Sequence, residues 1–215
     1  EVSYNDRYGQ PRQLAYKLDT LVISRRIDEV GRPLPKIIRL ESLKQICESL
    51  GLTVSGRSKS DVKKAFHQNA GAYIIAKLNY KGRDGTERLL EAGFTRYSVV
   101  FTGETLPNKT RADAVYIILN EPYWEVLDNA LIRPLDYDYL KALTPSAQRF
   151  YEIISYRMFP AIKYKHPQAK LLYSEFCTFS AQQRYYDYDH FKKQMYKIHK
   201  PHLQSGYIEK IHFAQ

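Results

Sequence analysis

The chain has 215 residues, enough for one large domain or two small ones. Its hydrophobic fraction of 44% and charged fraction of 26% are those of a globular protein and exclude an intrinsically disordered chain. It holds 33 Lys and Arg against 23 Asp and Glu, and the resulting formal net charge of +10 favours a polyanionic partner such as nucleic acid.

Residues 1–13 form a polar segment that we expect to be mobile. Residues 20–23 are rich in β-branched side chains and predict a short strand. Over residues 39–50 the apolar side chains recur three and four positions apart, which predicts an amphipathic helix. Ser42 is placed to cap the start of this helix, and Gly51 to end it.

A second helix, predicted at residues 60–70, carries a basic outer face. The side chains expected to point inward are Val62, Ala65, Phe66 and, beyond the helix, Tyr73. Those expected to point outward are Lys59, Lys63, Lys64, His67 and Gln68. Two short helices joined by a polar turn that contains a glycine, the second of them basic, are typical of a helix-turn-helix.

A β-hairpin is predicted directly after the basic helix. Residues 73–80 and 86–90 alternate as strands do, and the Asp-Gly pair at 84–85 favours a tight turn between them. With Lys81 and Arg83 near its tip, the hairpin has the features of a wing. The pattern then predicts two more strands and a short helix, at residues 97–101, 114–119 and 122–129.

The C-terminal part repeats the order of helix, turn and basic helix. A threonine followed by proline at 144–145 predicts a helix start, and this helix is expected to stop at Pro160. The next helix, residues 168–177, is expected to bury Leu172 and Phe176.

The last helix, predicted at residues 188–199, is again basic on its outer face. Phe191, Met195 and Ile198 give it an apolar stripe. Residues 208–213 predict a strand, where a second wing would begin.

These elements predict an α+β protein built from two tandem winged-helix domains. Residues 1–13 are the mobile N-terminal segment, residues 14–132 the first winged-helix domain, and residues 133–215 the second, whose wing is incomplete. No stretch of the sequence approaches membrane-spanning length, so no membrane partner is expected. Cys47 and Cys177 lie in apolar helical patterns and predict buried free thiols in a reducing compartment, the cytoplasm.

The two basic helices and the hairpin are the candidate DNA-binding surface, because duplex DNA carries dense negative charge and its major groove admits a helix. The candidates in the first half are Arg57, Lys59, Ser60, Lys63, Lys64, Gln68, Lys81 and Arg83. Those in the second half are Arg184, Tyr186, His190, Lys193 and Lys197. Each charged run could instead be only a solvated helix face, but two such helices in the same structural context favour double-stranded DNA.

No enzymatic activity is expected. The sequence has no Gly-rich loop ending in Gly-Lys-Ser/Thr and no cysteine pair with metal-ligand spacing, so neither a cofactor nor a metal is expected. Cys177, His199 and His202 could be imagined as ligands, but Pro201 is expected to break the helix between the histidines. Neither of the motifs that accompany a tyrosine nucleophile in DNA-processing enzymes occurs in the sequence, so Tyr185 and Tyr186 are not expected to be catalytic.

Three segments resemble the plasmid replication initiator proteins that are built from tandem winged helices. They are LTPSAQRFYEII at 143–154, FKKQM at 191–195 and LQSGYI at 203–208. The resemblance implies sequence-specific binding at repeated origin sites, duplex opening, recruitment of host replication proteins and, in some members, a repressor homodimer. It also implies a protein associated with the nucleoid or a plasmid. The alternative is a transcriptional regulator that uses one winged helix for DNA and the other for dimerisation.

Overall fold

A computed structural model describes residues 2–81, 84–105, 111–129, 135–166, 168–180 and 182–213; the side chains of residues 78, 80, 104, 105 and 111–113 are outside this description. The chain forms two compact units, unit 1 (Glu1–Ile132) and unit 2 (Arg133–Gln215), and both antiparallel sheets lie in unit 1. No helix within the described ranges is both long and apolar enough to cross a membrane.

Unit 1 combines short helices with two three-stranded sheets. The helices are α1 (Gln13–Leu18), a π-helix (Asp19–Ser24), α2 (Arg25–Val30), α3 (Leu43–Ser49), α4 (Gly56–Ala70) and α5 (Glu121–Asn129). The strands are β1 (Val2–Ser3), β2 (Ile37–Arg39), β3 (Tyr73–Lys81), β4 (Glu87–Thr95), β5 (Tyr97–Thr105) and β6 (Arg111–Leu119).

Both sheets are antiparallel, and the predicted hairpin is present as β3 and β4. One sheet has the order β1-β3-β4, with Tyr73 opposite Thr95 and Lys81 opposite Glu87. The other has the order β2-β6-β5. The strands predicted at 73–80, 86–90, 97–101 and 114–119 are therefore confirmed, with β4, β5 and β6 longer than expected.

Capping hydroxyls fix the starts of α3 and α4. Ser42 forms a capping box with Gln45, which confirms its expected role. The Ser55 hydroxyl accepts from the Ser58 backbone N–H at 3.1 Å, and the Ser58 hydroxyl donates to the carbonyl of Thr53 at 2.7 Å. Because these bonds fold the polar turn into the first helical turn, α4 begins at Gly56, four residues earlier than the predicted helix.

The strand predicted at 20–23 is wrong. Thr20, Leu21, Val22 and Ile23 lie in the π-helix, and all four are buried. A short apolar run fits a helix buried on every side as well as it fits a strand, so periodicity alone did not separate the two. Tyr73 also differs from its expected inward position: it begins β3, and its side chain is exposed.

The N-terminal segment, expected to be mobile, packs against the rest of unit 1. Val2 and Ser3 pair with β3 through Ile74 and Tyr73. Further along the segment, the Tyr8 ring stacks on the His67 imidazole of α4.

Unit 2 is helical in its described residues. Its helices are α6 (Tyr137–Ala142), α7 (Pro145–Lys163), α8 (Tyr173–Ser180) and α9 (Tyr188–Gln204). The predicted start of α7 is confirmed, with Thr144 at the N-cap and Pro145 in the first turn, although the Thr144 hydroxyl forms no capping hydrogen bond. The core of the unit consists of Phe150, Ile154, Phe176, Cys177, Met195 and Ile198. Cys47 in unit 1 and Cys177 here are buried free thiols, as expected.

Two prolines that were expected to end helices lie inside them. Pro160 lies within α7, which runs on to Lys163, and Pro201 lies within α9, which runs on to Gln204. A proline removes one N–H and therefore one helical hydrogen bond. In both helices the proline carbonyl still accepts a helical hydrogen bond from the residue four positions later. Tyr164 N–H donates to the Pro160 carbonyl, and Ser205 N–H donates to the Pro201 carbonyl.

Two further expectations for unit 2 are wrong. The helix predicted at 168–177 begins only at Tyr173, and Leu172, whose carbonyl accepts from Phe176 N–H, precedes it and is 64% exposed. Leu171 packs against the core instead. Residues 208–213 form no strand in the described part of the chain. Phe213 stacks on His199 of α9, with ring centroids 5.8 Å apart.

Candidate nucleic-acid interface

The outer face of α4 presents a row of cations and a hydroxyl. Arg57, Ser60, Lys63 and Lys64 are exposed, and Lys59 is half-buried. None of these cations forms an ion pair with any residue that the structure describes. Five predicted DNA-binding residues of α4 are therefore together on one helix, with their charge unneutralised by those residues.

The buried inner face of α4 fixes the orientation of the helix, so that the cations point to solvent. Val62, Ala65 and Phe66 are buried, which confirms the predicted apolar stripe. The buried Asn69 side chain donates to the carbonyl of Ala15 at 2.8 Å, which fixes the end of α4 against α1. Because one side of the helix is anchored in this way, the opposite side is presented at the surface of unit 1.

Gln68 is not part of this surface, contrary to the prediction. Its side chain is only 5% exposed, and its Nε2 donates to the carbonyl of Tyr8 at 2.9 Å. A glutamine on a basic helix suggests a base contact, but here the amide satisfies a backbone carbonyl of the N-terminal segment.

The β3–β4 hairpin is less basic than its tip suggested. Lys81 is exposed at the end of β3, whereas Arg83 lies outside the described residues. The described part of the hairpin carries three bases, Lys77, Lys81 and Arg88, and three acids, Asp84, Glu87 and Glu91.

Ion pairs with described residues neutralise part of this charge. Lys77 pairs with Glu91 at 2.9 Å, and Arg88 pairs with Asp84 at 3.1 Å and with Glu125 of α5 at 3.7 Å. Hydrogen bonds from Thr86, with a smaller contribution from Arg88, lower the pKa of Asp84 to about 2, so this acid stays charged at the turn. Lys81 is the candidate that the described hairpin offers.

In unit 2 the basic face belongs to α9. Lys193, Lys197 and Lys200 are exposed at helical spacing, together with Lys192 and Tyr196. None of the four lysines has an ion-pair partner among the described residues. The prediction included Lys193 and Lys197 but missed Lys200, because the helix was expected to end before Pro201.

The loop before α9 carries Arg184 and Tyr186. Tyr186 is 88% exposed, and the Arg184 guanidinium lies 5.1 Å from its ring centroid. Tyr173 anchors this loop, since its hydroxyl accepts from Tyr185 N–H at 3.1 Å and donates to Gln194 of α9 at 2.5 Å. The loop is thereby held beside the first turns of the basic helix.

His190 is tied to the N-cap of α9. Asp187 accepts from the backbone N–H of His190 at 2.9 Å and lies 2.7 Å from its ring Nδ1. These bonds lower the pKa of the Asp187 carboxyl. His190 also stacks on Tyr185, with centroids 5.7 Å apart. The imidazole is exposed, with its Nε2 edge free of any bond to the described residues.

The two histidines considered as metal ligands serve the core of unit 2. His202 Nε2 lies 3.1 Å from the carbonyl of Ala147, which can only accept, so Nε2 carries the proton. His202 Nδ1 therefore accepts from the Tyr139 hydroxyl at 2.6 Å. His199 packs between Phe150 and Phe213. No group of three His, Cys, Asp or Glu with metal-ligand geometry occurs in the described residues.

Both α4 and α9 have the diameter and the positive charge that the major groove of DNA requires. An α-helix with its side chains is about 10–12 Å across, and the major groove of B-DNA is about 12 Å wide. The lysines can bind phosphates, and Ser60, Tyr186 and His190 can donate to or accept from base edges or phosphates.

No protein-family model matches this chain, and no curated protein matches it. Among solved structures it is similar to two crystal structures of domains 2 and 3 of RctB. One is a selenomethionine derivative, 13% identical, with a TM-score of 0.43 over 87% of this chain and 67% of that one. The other is 11% identical, with a TM-score of 0.42 over 87% of this chain and 66% of that one.

Proposed function

We propose that the chain binds double-stranded DNA sequence-specifically, with α4 and α9 as the recognition helices of two winged-helix units. One observation carries the proposal. Both helices present a row of lysines, without ion-pair partners among the described residues, on the face opposite a buried apolar stripe. Since two solvated faces of this kind in one chain concentrate positive charge where a helix can enter a groove, a duplex is the partner that fits.

The order of elements supports the same proposal. In unit 1, α3, a polar turn, α4 and the β3–β4 hairpin follow one another as helix, turn, recognition helix and wing do. In unit 2, α8, a loop and α9 repeat the first three of these elements.

Selection of bound sequences from a random duplex library tests this proposal. The two helices carry different side chains, so we expect a composite site with two unlike halves. Reselection with Lys63→Glu and Lys64→Glu together should lose one half of that site. Reselection with Lys193→Glu and Lys197→Glu together should lose the other half. Recovery of no enriched sequence at low salt would contradict sequence-specific binding.

We further propose that the binding serves replication initiation at repeated sites, with recruitment of host replication proteins. Three segments resemble plasmid initiators: 143–154 at the start of α7, 191–195 in the N-terminal half of α9, and 203–208 at the end of α9 and just beyond it. An initiator should make thymines reactive to permanganate in a duplex that carries several copies of the selected site. Binding without opening would favour a regulator.

The alternative, a transcriptional regulator that dimerises through unit 1, is favoured by one observation. On the outer face of the β3–β4 hairpin, Ile75 and Leu89 are exposed, Leu89 by 65%. A dimer through this face should become a monomer in sedimentation velocity when Leu89 is replaced by Lys. An unchanged sedimentation coefficient would remove this support.

We also propose that the chain has no nuclease, ligase or nucleotide hydrolase activity. The Tyr185 hydroxyl lies 3.5 Å from Gln183 Oε1, and the Tyr186 ring lies beside the Arg184 guanidinium. The described residues contain no cluster of His, Cys, Asp or Glu that could hold a metal ion for cleavage chemistry. Incubation of supercoiled DNA with the purified chain and Mg²⁺ should leave it intact. Steady cleavage that is abolished by Tyr185→Phe or Tyr186→Phe would contradict this proposal.

A further inference from the structure

The N-terminal segment is folded into a turn that is fastened to the C-terminal end of α4. Gly9 N–H donates to the carbonyl of Asn5 at 2.8 Å, and Arg7 N–H donates to the Asn5 side chain at 3.0 Å. Gln68 of α4 donates to the carbonyl of Tyr8. Asn5 also packs on Gly71, where an added Cβ would come within 3.0 Å of it. The position of Arg7 is therefore set by contacts on both sides of it.

A stack of aromatic rings connects this turn with the basic face of α4. The Tyr8 ring lies parallel to His67, with centroids 4.6 Å apart and planes 13° apart. The Arg7 guanidinium is 5.5 Å from the Tyr8 centroid. Phe101 of β5 also packs against His67, with ring centroids 5.7 Å apart, and Lys63 Nζ is 5.3 Å from the Phe101 centroid. Arg7 and Lys63 thus each lie near a ring that packs against the imidazole.

The charged groups that act on His67 are both cations. Burial is the largest cause of its lowered pKa, followed by repulsion from Arg7 of the N-terminal segment and Lys63 of α4. The groups packed against it from the other elements, Tyr8 and Phe101, are aromatic. Neither cation forms an ion pair with a described residue. Among the described residues, no acid pairs with the cations of this cluster, which lies beside a helix that we propose enters a groove.

We propose that Arg7, Lys63 and His67 form a phosphate-binding site for the DNA strand that borders the groove occupied by α4. The inference rests on the proposed role of α4 in DNA binding and adds the N-terminal segment to it. A guanidinium that lies over a ring is already oriented, so little conformational freedom is lost when it binds a phosphate. Contacts of this kind fix the register of a protein on the duplex without reading its sequence.

The site couples DNA binding to a proton. A phosphate beside His67 supplies the negative charge that its surroundings lack, so the pKa of His67 is higher in the complex than in the free chain. The complex therefore binds more protons than the free chain does in the interval between these two pKa values. Affinity should consequently rise as the pH falls through that interval.

Two variants separate this site from the rest of the interface. Arg7→Ala should weaken binding of the selected duplex about three- to tenfold and make the salt slope of log K shallower by about 1. Arg7→Lys keeps the charge and should restore part of the affinity. Arg25→Ala, which removes an exposed arginine paired with Glu29 on α2, is the matched control and should change neither quantity.

His67→Gln tests the proton coupling. Between pH 7.5 and pH 5.5 the wild-type affinity should rise more steeply than that of His67→Gln, and the difference isolates this histidine from His190. If wild type binds the duplex tightly but Arg7→Ala and His67→Gln both match it at every pH, the N-terminal site is wrong while the proposed function stands. If wild type itself fails to bind any duplex, the proposed function is wrong and this site falls with it. Arg7 is exposed, so its variants test the site even if His67→Gln fails to fold.

Discussion

Arg96 donates to Asp19 across 2.7 Å in unit 1, and the two side chains are only 19% and 24% exposed. This pair ties the π-helix to the junction between β4 and β5, and the guanidinium also lies 5.5 Å from the Tyr97 ring. Since removing one partner leaves the other charge shielded from water and unpaired, such a pair is costly to break.

Arg96→Ala should therefore lower the free energy of unfolding of unit 1 by about 2–3 kcal/mol. The sequence contains one tryptophan, Trp124, which lies in α5 of unit 1, so urea denaturation followed by its fluorescence measures this unit. Arg25→Ala breaks the exposed pair with Glu29 and should cost about 0.5 kcal/mol. Equal losses in the two variants would show that the Arg96 pair is no more than a surface contact.

Unit 2 should lose stability in mild acid. Burial, and then repulsion from His202, lowers the pKa of His199 to about 4, and burial lowers the pKa of His202 as well. In the unfolded chain a histidine has a pKa near 6.5. As the pH falls from about 6.5 to about 4, the unfolded state takes up protons that the folded unit does not, so the free energy of unfolding falls.

The loss due to His199 should be at most about 3 kcal/mol across that interval. Far-UV circular dichroism in urea should show an earlier transition at pH 5 than at pH 7, and the variant His199→Phe should shift less. A transition of the wild-type chain at the same urea concentration at both pH values would contradict buried neutral histidines.

Lys200 should belong to the DNA-binding face of α9. Because the helix continues through Pro201, Lys200 follows Lys193 and Lys197 on the same side. Lys200→Glu should weaken duplex binding about as much as Lys197→Glu does. Lys141→Glu, which reverses an exposed lysine on α6, is the control. If Lys200→Glu behaves like that control, the binding face ends before the last turn of α9.

The elements that carry the proposed site could be predicted from local sequence. The Ser42 cap predicts the start of α3, and the alternation over 73–80 predicts β3. Both signals lie within a few neighbouring residues, so they can be recognised without a structure. The lysines of α4 and α9 were placed outward because the apolar stripes beside them fix the opposite face.

The failures concern interactions between residues that are distant in sequence. Gln68 is polar, yet its partner is the carbonyl of Tyr8, sixty residues earlier in the chain, so nothing near Gln68 indicates that it is buried. The apolar run 20–23 is buried as part of a π-helix, and its neighbours in the sequence do not distinguish this from a buried strand. Pro201 was expected to end a helix, but α9 loses one hydrogen bond there and continues.

The most direct test of the central claim is a titration of the selected duplex at several salt concentrations. The wild-type chain should show a log-log slope steeper than about −4. Lys63→Glu with Lys64→Glu, and separately Lys193→Glu with Lys197→Glu, should each weaken binding more than tenfold and make the slope shallower by about 2. Arg25→Glu with Lys36→Glu changes the net charge equally at residues whose cations are paired with Glu29 and Glu121, and should have a much smaller effect. A flat salt response of the wild-type chain, or lysine pairs that behave like this control, would contradict DNA binding through α4 and α9.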